Sequence, residues 1–476
     1  MKADKWKSVL VVLIGLIPAA LYAQEMRSGL KDQTALAVTI YNENLALVKD
    51  QRRVTIESGE LDLAIRDVSA QIRPETALLT GLDSNSKLEL IEQNFDFDLL
   101  TPESLLKKYV GKTIRTVTVN PSNGNETIEN AVVLATNQGI VLQFPFRIET
   151  QFPGRLIFDE VPGNLRDRPT LVLKLVNDNP EPQEIQLSYL TAGLSWRADY
   201  VASLNDDETR FDLNGWVTLT NHSGTTYPKA LLQLVAGDVQ QVQQVLPRMR
   251  STAVLEMAAA PAAMDEEALF DYHLYTLQRP TTIANQQTKQ VALMSAGDVP
   301  VSKQYLVDGH GQFFGGRSAG SIKQDVGVFI ELENSEQSNL GLPLPAGIVR
   351  VYKNDSAGRI QFIGEDRIDH TAKDQEIQLK LGNAFDVTAE RVQTSFRKVA
   401  SQGQYNFSAE IGQRITLKNA KQEAVEVKIH EMIPGDWKIN SESSPHSKIS
   451  STLVEWRVSV PAGATVEHEY ETLVRY

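Results

Sequence analysis

Apolar side chains recur at every second position in short runs along this chain, and that period decides what it can fold into. Leu61, Leu63 and Ile65 alternate with Asp62, Ala64 and Arg66. Ile185, Leu187 and Tyr189 repeat the pattern, as do Val326, Val328, Ile330 and Leu332, then Ile377, Leu379 and Leu381. Val425, Val427 and Ile429 alternate with Glu426, Lys428 and His430, and Val454, Trp456, Val458 and Val460 follow. A period of two sends alternate side chains to opposite faces of an extended strand. Each run is short and ends in Gly, Pro, Asn or Asp, the residues that turn a chain. One-sided strands of this kind suit antiparallel sheets with one face in a core. A parallel α/β fold would instead need helices between the strands. The expected class is mainly β and multi-domain: antiparallel β-sandwich modules, a small β-barrel-like module and one short linking helix. That helix begins at Thr101-Pro102-Glu103, which gives an N-cap, a proline at the first helical position and an acid in the first turn. Leu105, Leu106 and Tyr109 share a face, and Gly111 is the expected stop.

At 476 residues the chain should hold about three domains by length, at roughly 150 residues each. The pattern divides it into a first β domain over 24–100, the helix and small barrel over 101–160, a β-sandwich region over 168–310, and a C-terminal β-sandwich region over 322–476. In the small barrel Asn123-Gly124 is a hairpin turn. Regions 168–310 and 322–476 could share sheets, since sandwich strands are often exchanged over long connections. Two stretches are expected to be poorly ordered. One is a long loop over 238–267, rich in glutamine and alanine; the other is the glycine-rich linker from Gly309 to Gly320.

The N-terminus reads as an export signal. Lys2, Lys5 and Lys7 precede an apolar run from Val9 to Ile17, then Pro18 and Ala19-Ala20-Leu21-Tyr22-Ala23. This is the order of a secretory signal peptide over 1–23, with cleavage expected after Ala23. The run is too short to span a bilayer core of about 30 Å, and no later segment is long and apolar enough to do so. The expected location is therefore periplasmic or secreted. The chain has no cysteine, which excludes an N-terminal lipid, disulfides, thiolate chemistry and sulfur-held metals. Its formal charge is −13, and about −15 without the signal, which argues against a nucleic-acid partner.

Tyr189-Leu190-Thr191-Ala192-Gly193-Leu194-Ser195-Trp196-Arg197-Ala198-Asp199-Tyr200 opens a series of distinctive segments. Asn221-His222-Ser223-Gly224, Leu234-Val235-Ala236-Gly237-Asp238 and Thr288-Lys289-Gln290-Val291 follow. Then come Leu340-Gly341-Leu342-Pro343-Leu344-Pro345-Ala346-Gly347, Val349-Arg350-Val351-Tyr352-Lys353, Gly364-Glu365-Asp366 and Asp369-His370-Thr371. In this order they resemble the bacterial family catalogued as domain of unknown function four-one-three-nine; proteins called mucoidy inhibitor A contain a similar region. The resemblance implies an exported, β-rich envelope protein and assigns no catalytic or ligand residues. The long coiled coil of the mucoidy-inhibitor type is lacking here.

Glu365, Asp366, Asp369 and His370 are the best chemical cluster, and Glu365, Asp369 and His370 the candidate catalytic residues. Such carboxylates and an imidazole could shuttle a proton or hold a divalent cation. They match no calcium loop and lack a second histidine at helical spacing. A polar turn between strands around Phe362 and Ile377, with His370 bonded to the backbone, accounts for them more simply. Gly193-Leu194-Ser195-Trp196-Arg197 is not a nucleophile elbow, because Arg197 stands where the motif needs glycine. Asp206-Asp207-Glu208 reads as a solvated turn, and Trp196 as a core anchor. No metal site and no cofactor are expected. The C-terminal alternation of Tyr470, Thr472, Val474 and Tyr476 reads as the last strand of a soluble domain, since aromatics are too few, at 7%, for the girdles of a membrane barrel.

The functional expectation is a non-enzymatic binding or structural protein whose partner is an envelope protein or a surface glycan. Two alternatives stand beside it: a hydrolase of envelope polysaccharide or peptide, and a periplasmic assembly factor or chaperone. Paired facing carboxylates in a deep pocket would favour the hydrolase.

Overall fold

A computed structural model describes residues 25–42, 44–83, 88–96, 98–137, 139–162, 165–237, 239–240, 264–400 and 405–476. The expected signal peptide and most of the 238–267 loop lie outside the described residues. The end of that loop does not: Met264–Leu269 is a strand, paired antiparallel with Tyr272–Leu277. The chain is mainly β, built of several sheets, with one α-helix among the described residues. No helix there is long and apolar enough to cross a membrane. Two compact units can be distinguished.

The first unit comprises the chain up to Leu36, Leu47–Ala192 and Ser223–Thr226. One of its sheets has the order Glu25–Ser28, Gly59–Arg66, Thr170–Asn177, Leu88–Asp96. Leu61, Leu63 and Ile65 alternate inward against Leu171 and Leu173, as their period requires. A second group of strands pairs Leu45–Thr55 with Pro182–Thr191 and that with Leu78–Gly81. Arg52, on Leu45–Thr55, is fully buried. Its guanidinium donates to the carbonyls of Ser28 (2.8 Å) and Arg66 (2.7 Å), on neighbouring strands of the four-stranded sheet, and to Asp50 (2.7 Å).

The small module of this unit is an open five-stranded sheet, not a closed barrel. Its order is Arg147–Glu149, Val141–Phe144, Glu126–Ala135, Thr113–Val119, Arg155–Ile157. The outer strands are only three residues long and do not pair with each other. Residues Pro102–Lys108 form the helix. Thr101 caps it by accepting the Ser104 N–H at 3.0 Å, and Gly111 follows at a φ of +81°. Leu105, Leu106 and Tyr109 pack on Ile114, Val133, Leu142 and Phe144, so the helix closes the core of this sheet as well as linking segments.

The second unit comprises Ala37–Ala46, Gly193–His222 and Tyr227–Tyr476. One sheet has the order Gln287–Pro300, Arg210–Asn221, Leu194–Leu204, Gly347–Asn354, Ile360–Ile368. A six-stranded sheet follows the order Glu376–Asn383, Gly327–Glu333, Ser302–Gly309, Val425–Met432, Leu453–Val460, Ser447–Lys448. The last sheet runs Ser321–Gln324, Val387–Lys398, Ser408–Asn419, Thr465–Arg475, Asp436–Glu442. Val427, Ile429 and Trp456 of the six-stranded sheet share one core with Ile411, Ile415, Leu417, Tyr470 and Val474 of the last. The C-terminal alternation thus turns Tyr470, Thr472 and Val474 inward.

Strands do not sort by chain segment. Thr170–Asn177 lies between Gly59–Arg66 and Leu88–Asp96, and Leu194–Leu204 pairs with Gly347–Asn354. The latter pairing is parallel, as are Ser302–Gly309 with Val425–Met432 and Tyr227–Ala236 with Gln33–Tyr41. Parallel neighbours need long connections, and here well over a hundred residues separate most such partners. The Gly309–Gly320 stretch is not a flexible linker throughout. Gly311–Phe314 forms a 3-10 turn whose Phe313 and Phe314 are buried in the C-terminal core.

Candidate functional site

Several of the distinctive segments meet on one face of the second-unit sheet that contains Leu194–Leu204. On Leu194–Leu204, alternation puts Trp196, Ala198, Tyr200 and Ala202 on one side and Arg197 and Asp199 on the other. Asp199 is buried. Its Oδ2 accepts from the Thr218 hydroxyl (2.7 Å) and from Arg197 Nε (3.2 Å). Arg350 Nη1, on the parallel neighbour Gly347–Asn354, donates to Asp199 Oδ1 at 3.0 Å. Arg350 Nε lies 3.1 Å from Glu365 on Ile360–Ile368. At the opposite end, Gln290 donates to Thr218 Oγ1 at 3.2 Å. Gln290, Thr218, Asp199, Arg350 and Glu365 therefore form a polar ladder with one residue from each of five adjacent strands. Each charge has an opposite charge or a donor beside it, which is what allows a carboxylate such as Asp199 to be buried.

The other side of the same sheet holds the Leu340–Gly347 segment. The Tyr200 hydroxyl, fully buried, donates to the Pro345 carbonyl at 2.8 Å, and Tyr275 donates to Pro343 at 2.9 Å. Burial pushes both phenols above their ordinary value. Asn334 donates to the carbonyls of Leu342 (2.8 Å) and Ala372 (2.9 Å) and accepts the Gly341 N–H. Pro343 and Pro345 carry no N–H of their own, and Tyr275, Tyr200 and Asn334 supply side-chain donors to the carbonyls of Pro343, Pro345 and Leu342.

Each residue of the expected cluster has a defined place. Residues 365–368 continue the strand Ile360–Ile368 rather than forming a turn. Glu365 and Asp366 are adjacent on it and so face opposite sides. Glu365 meets Arg350, whereas Asp366 accepts the backbone N–H groups of Arg367 and Lys380. Asp369 is exposed, and its carbonyl accepts from the Thr371 hydroxyl. His370 Nδ1 accepts the Ala346 N–H at 3.2 Å, and its Nε2 lies 3.3 Å from the Asn42 amide. Glu365 thus belongs to the ladder and His370 to the support of Leu340–Gly347. Among the described residues no group of three or more acids or histidines is arranged to hold a metal ion.

Two features were not apparent from the sequence. Arg197 and Asp199, two positions apart on a strand, signal a shared face, but the second arginine bonded to Asp199, Arg350, lies 151 positions away. The acidic turn at 206–208 is not simply solvated: Lys303 and Lys353 each bind Glu208, at 2.6 and 2.7 Å. Partial burial would raise the Glu208 carboxyl, but the two ammonium groups prevail and bring it down to about 2. Trp196 is buried, and its indole N–H has no hydrogen-bond partner. A groove elsewhere in the unit is lined by Glu331, Glu333, Asp374 and Glu376, of which Glu331 is paired with Lys428.

A family model described as Domain of unknown function (DUF4139) matches residues 185–476, which contain the ladder and the Leu340–Gly347 segment. No curated protein matches the chain.

Proposed function

The chain belongs to the family described as Domain of unknown function (DUF4139), and on that premise we propose that it is an exported, non-enzymatic protein of the bacterial cell envelope that binds an envelope protein or a surface glycan. The observation that carries this reading is the ladder. Arg197, Asp199, Arg350 and Glu365 come from the family's distinctive segments, and they are bonded to one another. A general acid or base must instead reach a substrate proton. Tyr200 and His370 likewise hold the Leu340–Gly347 backbone. The signature residues act on this reading as a frame.

Export is supported by the basic, apolar and small-residue order of positions 1–23. Contact with a partner is supported by phenylalanines at turn tips: Phe146 is 99% exposed and Phe385 94%. Large aromatic side chains presented to water in this way are favourable anchors for an interface.

The experiment is cell fractionation with a C-terminal tag, N-terminal sequencing, and cross-linking in intact cells. The expected mature chain starts at Gln24, is found outside the cytoplasm, and cross-links to a partner or is retained on envelope glycan. That capture should fall in Phe146→Asp and Phe385→Asp variants that remain folded. A chain that starts at Met1 and stays cytoplasmic removes export. Absence of any cross-linked or retained partner removes the binding role.

A further inference from the structure

Facing strands of the second unit line a half-open cavity of about 240 Å³ with aliphatic walls and a charged rim. Leu204 and Ile363 enter from the five-stranded sheet, and Val328, Ile330 and Leu381 from the six-stranded one. Gly364 makes this approach possible. At its φ of +155° a side chain there would strike the Leu381 carbonyl, so only glycine lets Ile363 come up to Leu381. The rim is the cluster of Lys303, Glu208 and Lys353, with Lys303 Nζ 2.6 Å from Glu208 Oε2 and Lys353 Nζ 2.7 Å from Oε1.

We propose that this cavity binds a small amphipathic carboxylate, a chain of a few carbons ending in one carboxylate group. Three observations lead there. Two ammonium groups face one carboxylate, so the rim carries a net positive charge in a chain whose formal charge is −13. Each ammonium has three donors; Lys303 commits one to Glu208, and Lys353 commits one to Glu208 and one to the Asp206 carbonyl. Donors therefore remain for an incoming anion. The aliphatic walls fit a hydrocarbon body. The volume falls below the roughly 300–1,000 Å³ usual for larger ligands, which limits that body to a short chain. Glu208 then acts as a resident anion that holds the two lysines apart and competes with the ligand. This inference stands independently of any role in the envelope.

The test uses the purified full chain, titrated with hexanoate, acetate and hexylamine by calorimetry and by methyl NMR. Hexanoate should bind saturably and shift the methyls of Ile330, Ile363 and Leu381. Acetate lacks the body and hexylamine carries the opposite charge, so neither should do so. Lys353→Met should weaken hexanoate about tenfold, and Glu208→Gln, which removes the competing anion, should strengthen it by about the same factor, the scale of one charge-assisted hydrogen bond. Circular dichroism checks both folds. If Lys353→Met unfolds, the Glu208→Gln titration decides alone. No saturable binding of hexanoate, equal binding of hexylamine, shifts confined to other methyls, or weaker binding by Glu208→Gln would overturn the proposal.

Discussion

Arg350 and Asp199 face each other across a parallel strand pair, with guanidinium and carboxylate 3.0 Å apart and the Asp199 side chain only 4% exposed. The pair joins two segments far apart in the chain, and the arginine also reaches Glu365 on the strand beyond. Removing Arg350 would leave a buried carboxylate with the partly exposed Arg197 and Thr218 as its remaining support.

Arg350→Ala should therefore destabilise the second unit by about 3 kcal/mol, the scale of a broken buried ion pair. Arg197→Ala, whose side chain is half-exposed, should cost less than about 1 kcal/mol. Urea unfolding of both variants measures the contrast. Equal midpoints for the two would mean that Asp199 does not depend on Arg350.

Arg52 is the corresponding element in the first unit. It binds backbone carbonyls on Glu25–Ser28 and Gly59–Arg66 while sitting on Leu45–Thr55. Arg52→Ala removes donors from the buried Ser28 carbonyl and the half-buried Arg66 carbonyl and leaves Asp50 without its buried cation. A loss of about 3–5 kcal/mol is expected. Hydrogen exchange should show Ser28 and Arg66 losing protection first; unchanged exchange at both positions would remove Arg52 from this role.

The strands were legible because alternation depends only on local sequence: Leu61–Ile65 and Val425–Ile429 lie in strands as read. The helix was legible from the Thr101 cap and Pro102. Partner choice was not, because inward-facing apolar residues specify a face and not a neighbour. Hence Thr170–Asn177 settled between two strands of the first region. The acidic cluster at 365–370 was visible as composition, but strand register sends its members to different partners. Glu208 was misread because Lys303 and Lys353 lie 95 and 145 positions away.

Gly309 tests how tightly the C-terminal core is specified. The buried ion pair of Arg391 and Glu431 crosses between its two sheets, and a side chain at 309 would run into the Glu431 carboxylate and the His430 carbonyl. Gly309→Ala must displace a fully buried carboxyl group. A loss of about 1–3 kcal/mol is expected, as for other overpacked cores, read as a lower urea midpoint. An unchanged midpoint would show that Glu431 can move.

His468 should make the same core sensitive to acid. It is buried against Trp456 and Tyr470, with ring centroids 5.1 and 6.1 Å away. Ser444 Oγ lies 3.3 Å from Nδ1, and Nε2 has no hydrogen-bond partner. Burial lowers its pKa to about 4 from the ordinary 6.5, against the weaker opposing pull of the Glu442 carboxylate. The folded state therefore holds the imidazole neutral, while the unfolded chain takes up a proton as pH falls below about 6.5. The stabilising preference is complete above that value and is lost progressively down to about 4. His468→Phe keeps the ring stack without the proton, so the slope of stability against pH between about 6.5 and 4 should be shallower in the variant. Carboxylates that titrate in the same range act equally in both proteins, so the difference between the two curves isolates the histidine. Parallel curves would mean that protonated His468 finds a partner in the folded core, with Glu442 the nearest anion able to serve.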